Sequence, residues 1–336
     1  MTLKDIAKHF NLSISTISRA LREDNSIASE TREKIKAYAR AHHFKTNSNA
    51  ANLRKKQSNV IGVILPAISN HFFSAIIDGM EEVADQHNYS IIITQSNESF
   101  EKEVKSVQSL ISLRVAGILI SMSKETEHYE HYKDILENHI PLVFFDRICT
   151  GILTDKVVIN DYQSAFSAVD MLIRSGCKRI AYYGSESQLE IAKHRRNGYI
   201  DALRHHHIKP DPELIFDCDT GTCAQEITPA VLDAPNRPDA FFAINDNTAS
   251  GILYAVKRKG LRIPDEISIC GFGDGYISQI SDPQLTSIDQ HPLEIGRQAM
   301  ELIIHKIEHP AKAAQISNRV IQTKLNQRET SRAVQN

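Results

Sequence analysis

No stretch of 18 apolar residues occurs in the 336-residue chain, and its first residues, MTLKDIAKHF, carry charges where an export signal needs an apolar core. The sequence therefore predicts neither export nor a membrane span. Cysteines are few and scattered: Cys149, Cys177, Cys218, Cys223 and Cys270 are an odd number without a CxxC pair. That pattern offers neither a disulfide framework nor a zinc ribbon, and it fits a reducing cytoplasm. The C-x4-C spacing of Cys218 and Cys223 has no second pair to complete a metal site, so separate thiols are expected. His205-His206-His207 point in different directions and have no acid at ligand spacing. There is no GxxxxGK[ST] phosphate loop, and the glycines of GFGDG lack the dinucleotide pattern. No metal, cofactor or nucleotide hydrolysis is expected.

Net charge is only -2, from 39 Lys+Arg against 41 Asp+Glu, but it is unevenly spread. Residues 1 to 58 hold twelve basic and five acidic residues, net +7, leaving the remainder at -9. A basic head on an acidic body predicts that the head meets a polyanion while the body avoids it. DNA, RNA or an anionic membrane all satisfy that condition.

Leu3, Ile6, Ala7 and Phe10 fall on one helix face behind Thr2, a capping residue with Asp5 three positions on. Asn11-Leu12-Ser13 reads as a tight turn. Ile17, Ala20 and Leu21 then form a second stripe, and Ser29 is expected to cap a third helix bearing Ile35, Tyr38, Ala39 and His42. Helix, tight turn, helix is a DNA-binding pattern. Residues 45 to 58, KTNSNAANLRKKQS, have linker composition, with Leu53 as an isolated apolar residue.

From residue 60, short apolar runs (VIGVIL, SIIITQ, GILI, PLVFF, VVIN, RIAYYG, AFFAI, ISICGF) alternate with helical segments near 72–87, 101–114, 163–175, 192–207 and 246–259. Runs without alternation are strands buried on both faces, and repeated βα units give parallel sheets. About ten strands are too many for one sheet. Two doubly wound lobes with a ligand cleft at the carboxyl ends of their strands are predicted.

The segments MTLKDIAKHFNLSISTISRAL, SETREKI, SNVIGVILP, NHFF, FFDR, RNGYIDAL, FFAINDNTASG, GLRIPDEISICGFGD and DPQLTSIDQ, in this order, resemble the LacI/GalR family of bacterial transcription regulators. The resemblance runs from about residue 2 to about residue 325. It implies a small all-α helix-turn-helix DNA-binding domain (1–46), a hinge segment (47–58), a two-lobed, periplasmic-binding-protein-like α/β effector-binding and dimerisation core (59–325), and a polar tail (326–336). It also implies a cytoplasmic homodimeric repressor that binds a pseudo-palindromic operator in double-stranded DNA and is controlled by a small molecule, foremost a carbohydrate. A cytoplasmic solute-binding module and a sugar-processing enzyme are the alternatives. LNQRETSRAVQN, polar throughout, contains no heptad for a tetramerising coil.

Carried over residue by residue, the resemblance places Ile14, Ser15 and Arg19 at base edges and Ser13, Thr16 and Ser18 at phosphates. Arg19 suits a bidentate pair with guanine. Leu53 matches a leucine that wedges into the minor groove, although Ala51-Asn52 replaces the family's more usual basic and serine pair before it. The implied effector residues are Asn70, Phe72, Phe73, Asp146, Arg147, Asn160, Asp161, Arg195, Asn245, Asp246, Asp274 and Gln290. Two departures stand out: Asn160-Asp161 reverses the usual order, and Gly273 puts the acid of GFGD one place late.

Overall fold

The computed structural model describes residues 1–21, 24, 26–42, 44, 58–69, 71–310 and 315–334. The expected wedge Leu53, all but Ser58 of the hinge segment, and Asn70 lie outside the described residues. Contacts divide the chain into two compact units, Met1–Ser58 and Asn59–Asn336.

In the first unit, helix α1 (Leu3–Phe10) begins with a reciprocal cap: the Thr2 hydroxyl accepts from the Asp5 amide, and the Asp5 carboxylate accepts from the Thr2 amide at 2.7 Å. It ends at Asn11, whose φ of 51° lies in the left-handed region that asparagine tolerates. The amide of Thr16 donates to the Ser13 hydroxyl at 3.1 Å, so Ser13 caps α2 (Ile14–Leu21). In α3 (Ser29–Ala41) the cap position falls to Ala28, which has no side chain to bond; Ser29, the expected cap, is already helical. Ile6, Ala7, Ile17, Ala20, Ile35 and Ala39 close the core between the three helices.

The second unit holds two lobes. The first runs β1 (Val60–Leu65), α4 (His71–Gln86), β2 (Ser90–Gln95), α5 (Phe100–Ser112), β3 (Gly117–Ile120), α6 (Glu130–Glu137), β4 (Leu142–Phe145) and β5 (Asp155–Ile159). The chain then builds α7 (Asp161–Arg174), β6 (Ile180–Gly184), α8 (Glu190–His205), β7 (Ile215–Asp217), α9 (Gly221–Asp233), β8 (Ala240–Ala243), α10 (Asp246–Arg258), β9 (Ser268–Gly273), α11 (Tyr276–Ile280) and β10 (Thr286–Asp289). It returns to the first lobe with α12 (Pro292–Glu308) and β11 (Asn318–Ile321), and ends in the second with β12 (Lys324–Asn326). The sheets have the orders β11-β5-β4-β3-β1-β2 and β12-β10-β9-β8-β6-β7. Every pairing is parallel except β10 with β12. The lobes are therefore linked three times, after β5, β10 and β11.

Returning α12 to the first lobe requires two backbones to touch. A Cβ on Gly79 would stand 2.1 Å from the carbonyl oxygen of Leu293, and one on Gly296 would stand 2.0 Å from that of Ile76. Only glycine permits this approach of α4 to α12.

Two expectations are corrected by the packing. Of residues 326–336, read as a polar tail, the described ones, 326–334, are docked on the second lobe: the Thr330 hydroxyl donates to the Ile269 carbonyl at 2.8 Å, and Arg332 Nε donates to that of Pro264 at 3.1 Å. Part of their polarity is satisfied by backbone carbonyls and by the Asp274 carboxylate, while Gln327 and Glu329 stay exposed. Cys218 and Cys223, expected as separate thiols, form a disulfide. Cys218 follows β7 and Cys223 lies in the first turn of α9, which folds back to bring their Cα atoms within 5.7 Å. That separation is within disulfide reach. Cys149, Cys177 and Cys270 are free and buried.

Candidate functional site

Two surfaces concentrate functional side chains, one in each unit. On α2, Ile17 and Ala20 are fully buried, while Ser13, Ser15 and Arg19 are exposed and Ile14 keeps 37% of its surface. Thr16 and Ser18 are half-buried beside them. The Ser13 hydroxyl is shared with those of Ser15 and Thr16 at 2.7 and 2.8 Å, which fixes the start of the helix. Three hydroxyl residues, a capping serine and a guanidinium thus lie on the exposed side of a short amphipathic helix.

The second surface is a cleft of about 610 Å³ between the lobes. Phe72 and Phe73 enter it from the start of α4; Phe73 is also part of the core, with the Arg147 guanidinium 5.9 Å from its ring. Asp146 ends β4 with a φ of 58° and is 8% exposed. Among the described residues no hydrogen bond ends on its carboxylate, and the nearest cation, Arg147 Nε, stands 4.0 Å away, itself without a partner. Burial pushes the Asp146 carboxyl up to about 6, against the pull of Arg147 and Arg195. This is an uncommitted acceptor at the carboxyl end of a parallel strand, where ligands of such folds collect.

Arg195 on α8 is the opposite case, a cation held from every side. Its Nε donates to Asp161 at 2.8 Å, Nη2 lies 2.7 Å from the same carboxylate and donates to Gln290 at 3.3 Å, and Nη1 donates to the Ile244 carbonyl at 2.7 Å. The guanidinium also stacks 3.7 Å above the Phe272 ring. Asp161 does not line the cleft; it lies beneath Arg195 and orients it. Burial raises the Asp161 carboxyl above the ordinary range, although Arg195 draws it down. Asn160 is outside the cleft lining and caps α7, accepting from the Gln163 amide at 3.0 Å.

Asn245, Asp246 and Asp274 reach the cleft, but their polar atoms are largely engaged. Asn245 caps α10 by accepting from the Thr248 amide at 2.8 Å, and its amide donates to the Asp219 carbonyl at 2.9 Å. The Asp246 carboxylate accepts from Ser278, Ser287 and the Gly275 amide. Burial raises this carboxyl and the three donors counter the rise. A Cβ on Gly271 would come within 2.3 Å of Asp246, so the glycines of GFGD make room for this buried acid. Asp274, the late acid, is turned onto Arg328 and Asn326 of the docked C-terminal segment.

Sequence reasoning missed several lining residues. Glu98, in the left-handed turn after β2, receives two hydrogen bonds from Arg147 at 2.7 and 2.9 Å. Lys124 after β3 and Asp219 after β7 face one another across the cleft at 2.6 Å, an ion pair between the lobes. Their shared signal is a position just past a strand's carboxyl end, which a lone charged residue does not advertise.

Comparison with known proteins supplies the remaining findings. Residues 2–47 match the bacterial regulatory proteins of the lacI family, and residues 169–331 match a periplasmic binding protein-like domain. The HTH-type transcriptional repressor CytR of Escherichia coli (strain K12) is 31% identical, over 91% of this chain and 90% of its own. The ribose operon repressor of Halalkalibacterium halodurans is 29% identical, over 100% of this chain and 98% of its own. A solved structure of the Lac repressor dimer bound to operator and the anti-inducer ONPF superposes with a TM-score of 0.86 at 23% identity, covering 99% of each chain.

Proposed function

Because the chain belongs to the lacI family of bacterial regulatory proteins, we propose that it is a homodimeric repressor whose heads read a pseudo-palindromic operator and whose cleft takes a sugar that controls that binding. One observation carries the reading: α2 buries Ile17 and Ala20 and turns Arg19 and its hydroxyl neighbours to solvent, on a head of net charge +7. In a helix-turn-helix this second helix enters the major groove. Ile14, Ser15 and Arg19 then meet base edges, while Ser13, Thr16 and Ser18 meet phosphates. Two heads per dimer match two half-sites.

The cleft chemistry supports a neutral, polyhydroxylated ligand. Asp146 offers paired acceptors to adjacent hydroxyls, Phe72 and Phe73 offer an apolar wall, and Arg195, with most of its N–H groups assigned, is a fixed donor rather than a mobile counter-ion. A relative's name, the ribose operon repressor, points to the same class. The basic head distinguishes this reading from a solute-binding module, and the relatives are regulators rather than enzymes.

The test is a binding-site selection with the full chain, repeated with whichever of a panel of sugars, sugar phosphates and nucleobases raises its melting temperature. Ligand at 100 times its Kd adds about 2.7 kcal/mol to stability. Selected sequences with two inverted half-sites, whose retention changes with the stabilising sugar, are the expected result. Selection of no preferred sequence would overturn the operator reading; stabilisation only by nucleobases would overturn the sugar.

The raised Asp146 carboxyl gives a pH-dependent check. Its value rises from 3.8 unfolded to about 6 folded, so the folded protein holds this proton more tightly. Stability linked to it is full below the unfolded value and is lost as pH rises through 6. Asp146→Asn removes that penalty: at pH 7.5 the variant without ligand should gain about 3 kcal/mol over the native chain. The gain should shrink by pH 5, while binding of the stabilising sugar should weaken. Melting curves at the two pH values measure this directly; equal gains at both would show that Asp146 carries no ionisation cost.

A further inference from the structure

We propose that Cys218 and Cys223 are a reversible, peroxide-responsive thiol pair that sets how firmly the two lobes are latched across the cleft. Of the four residues between them in the chain, Asp219 and Thr220 line the cleft. The Asp219 carboxylate pairs with Lys124 of the opposite lobe at 2.6 Å, and its carbonyl is held by Asn245 at 2.9 Å. Thr220 caps α9, accepting from the Cys223 amide at 3.2 Å. The disulfide therefore staples the loop that carries one half of the cross-lobe ion pair.

The other half is already rigid. The Lys124 amide donates to Glu98 at 2.9 Å, and the adjacent Ser123 amide donates to the buried Glu103 at 2.6 Å. Glu103 also accepts from Thr126 and Tyr132. What can change is the loop from Cys218 to Cys223, and its covalent state decides how freely Asp219 moves. A regulator that works on DNA works where thiol pools are reduced, and disulfides in such compartments are usually transient and redox-sensing.

The local chemistry divides the two cysteines. Cys223 is half-buried in the first turn of α9 and is the sulfur an oxidant in solvent reaches first, whereas Cys218 is 2% exposed. A peroxide transfers one oxygen to the Cys223 sulfur, giving a sulfenic acid and one water. The Cys218 thiol then attacks that sulfur, the S–S bond forms, and a second water leaves. Two thiols and one peroxide become one disulfide and two waters. A dithiol reductant reverses the reaction by exchange.

The proposal rests on the regulator reading for its reducing compartment, while the thiol chemistry and the latch stand apart from the identity of the ligand. The test therefore uses the full chain and no ligand. Under denaturing conditions the reduced protein should take up five maleimides, one for each cysteine in the sequence, and the peroxide-treated protein three. Hydrogen exchange should then slow on oxidation in the 218–223 segment and also at 122–126 in the other lobe, there by up to about fivefold, the factor carried by an ion pair at a half-exposed site. Cys223→Ser should fold and lose both responses. Lys124→Ala should still form the disulfide and lose only the response at 122–126. Five labels after peroxide treatment would overturn the thiol pair, and slowing confined to 218–223 would overturn the latch.

Discussion

Arg19→Ala should abolish discrimination between the operator and mutated operators while leaving the melting temperature of the second unit and its response to sugar unchanged. A bidentate arginine–guanine pair contributes about 1 to 3 kcal/mol of discrimination, and a homodimer places one arginine on each half-site. Losing both costs about 2 to 6 kcal/mol on a symmetric operator, from roughly thirtyfold to more than ten-thousandfold in affinity. Arg19 is exposed and makes no packing contribution comparable to the buried Ile17 two residues before it, so the head should stay folded. Its net charge should keep most of the sequence-independent binding. The measurement is a pair of titrations, operator and scrambled duplex, at one salt concentration. An operator-to-scrambled ratio equal to that of the native chain would remove Arg19 from base reading, and equal loss on both duplexes would make it a phosphate contact.

The head and the lobes were legible for different reasons. Cap, stripe and turn around Thr2, Ile6, Asn11 and Ile17 are local signals, and each element they define is found where the spacing puts it. The βα alternation was equally plain where strands are long and apolar, as in β1 and β9. It failed for β7, β11 and β12, strands of three or four residues at sheet edges that are not fully buried, and for β10, an interior strand whose four residues TSID include one large apolar side chain. Edge strands need no continuous apolar run, so composition does not mark them. Helix α9 was hidden as well, since Gly221 opens it and Pro229 stands inside it.

The site was legible only in part because position does not reveal commitment. Asp146, Asp246 and Asp274 look alike in sequence, each an acid following or near an apolar run. The fold makes the first an uncommitted acceptor, the second the anchor of the 273–278 turn, and the third a partner of Arg328. Asp274 pairs with a residue 54 positions away in a segment that reads as a solvated tail. Cys218 and Cys223 were read against metal-site arithmetic, when the short connection from β7 into the first turn of α9 was enough to bring them together.

Asp161→Ala tests the other large electrostatic commitment in the molecule. The substitution leaves the Arg195 guanidinium, 4% exposed as a residue, with the Ile244 carbonyl, Gln290 and the Phe272 face but no carboxylate in contact, Asp146 acting on it only at longer range. Removing one partner of a buried pair costs about 3 to 5 kcal/mol, because the remaining charge is uncompensated. The second unit should therefore melt lower by on the order of 10 °C. Sugar stabilisation should disappear with it, since Arg195 no longer has a fixed orientation. The double variant Asp161→Ala/Arg195→Met separates the two consequences. With both charges gone and the volume refilled, stability should return toward that of the native chain, as apolar replacement of buried pairs commonly allows. Sugar binding should not return, because the donor itself is missing. If the single variant loses less than about 1 kcal/mol, then Gln290, the Ile244 carbonyl and the Phe272 ring are sufficient for the guanidinium, and Asp161 is only its neighbour. If the double variant regains sugar binding as well as stability, Arg195 is a structural residue, and recognition rests on Asp146 and the aromatic wall.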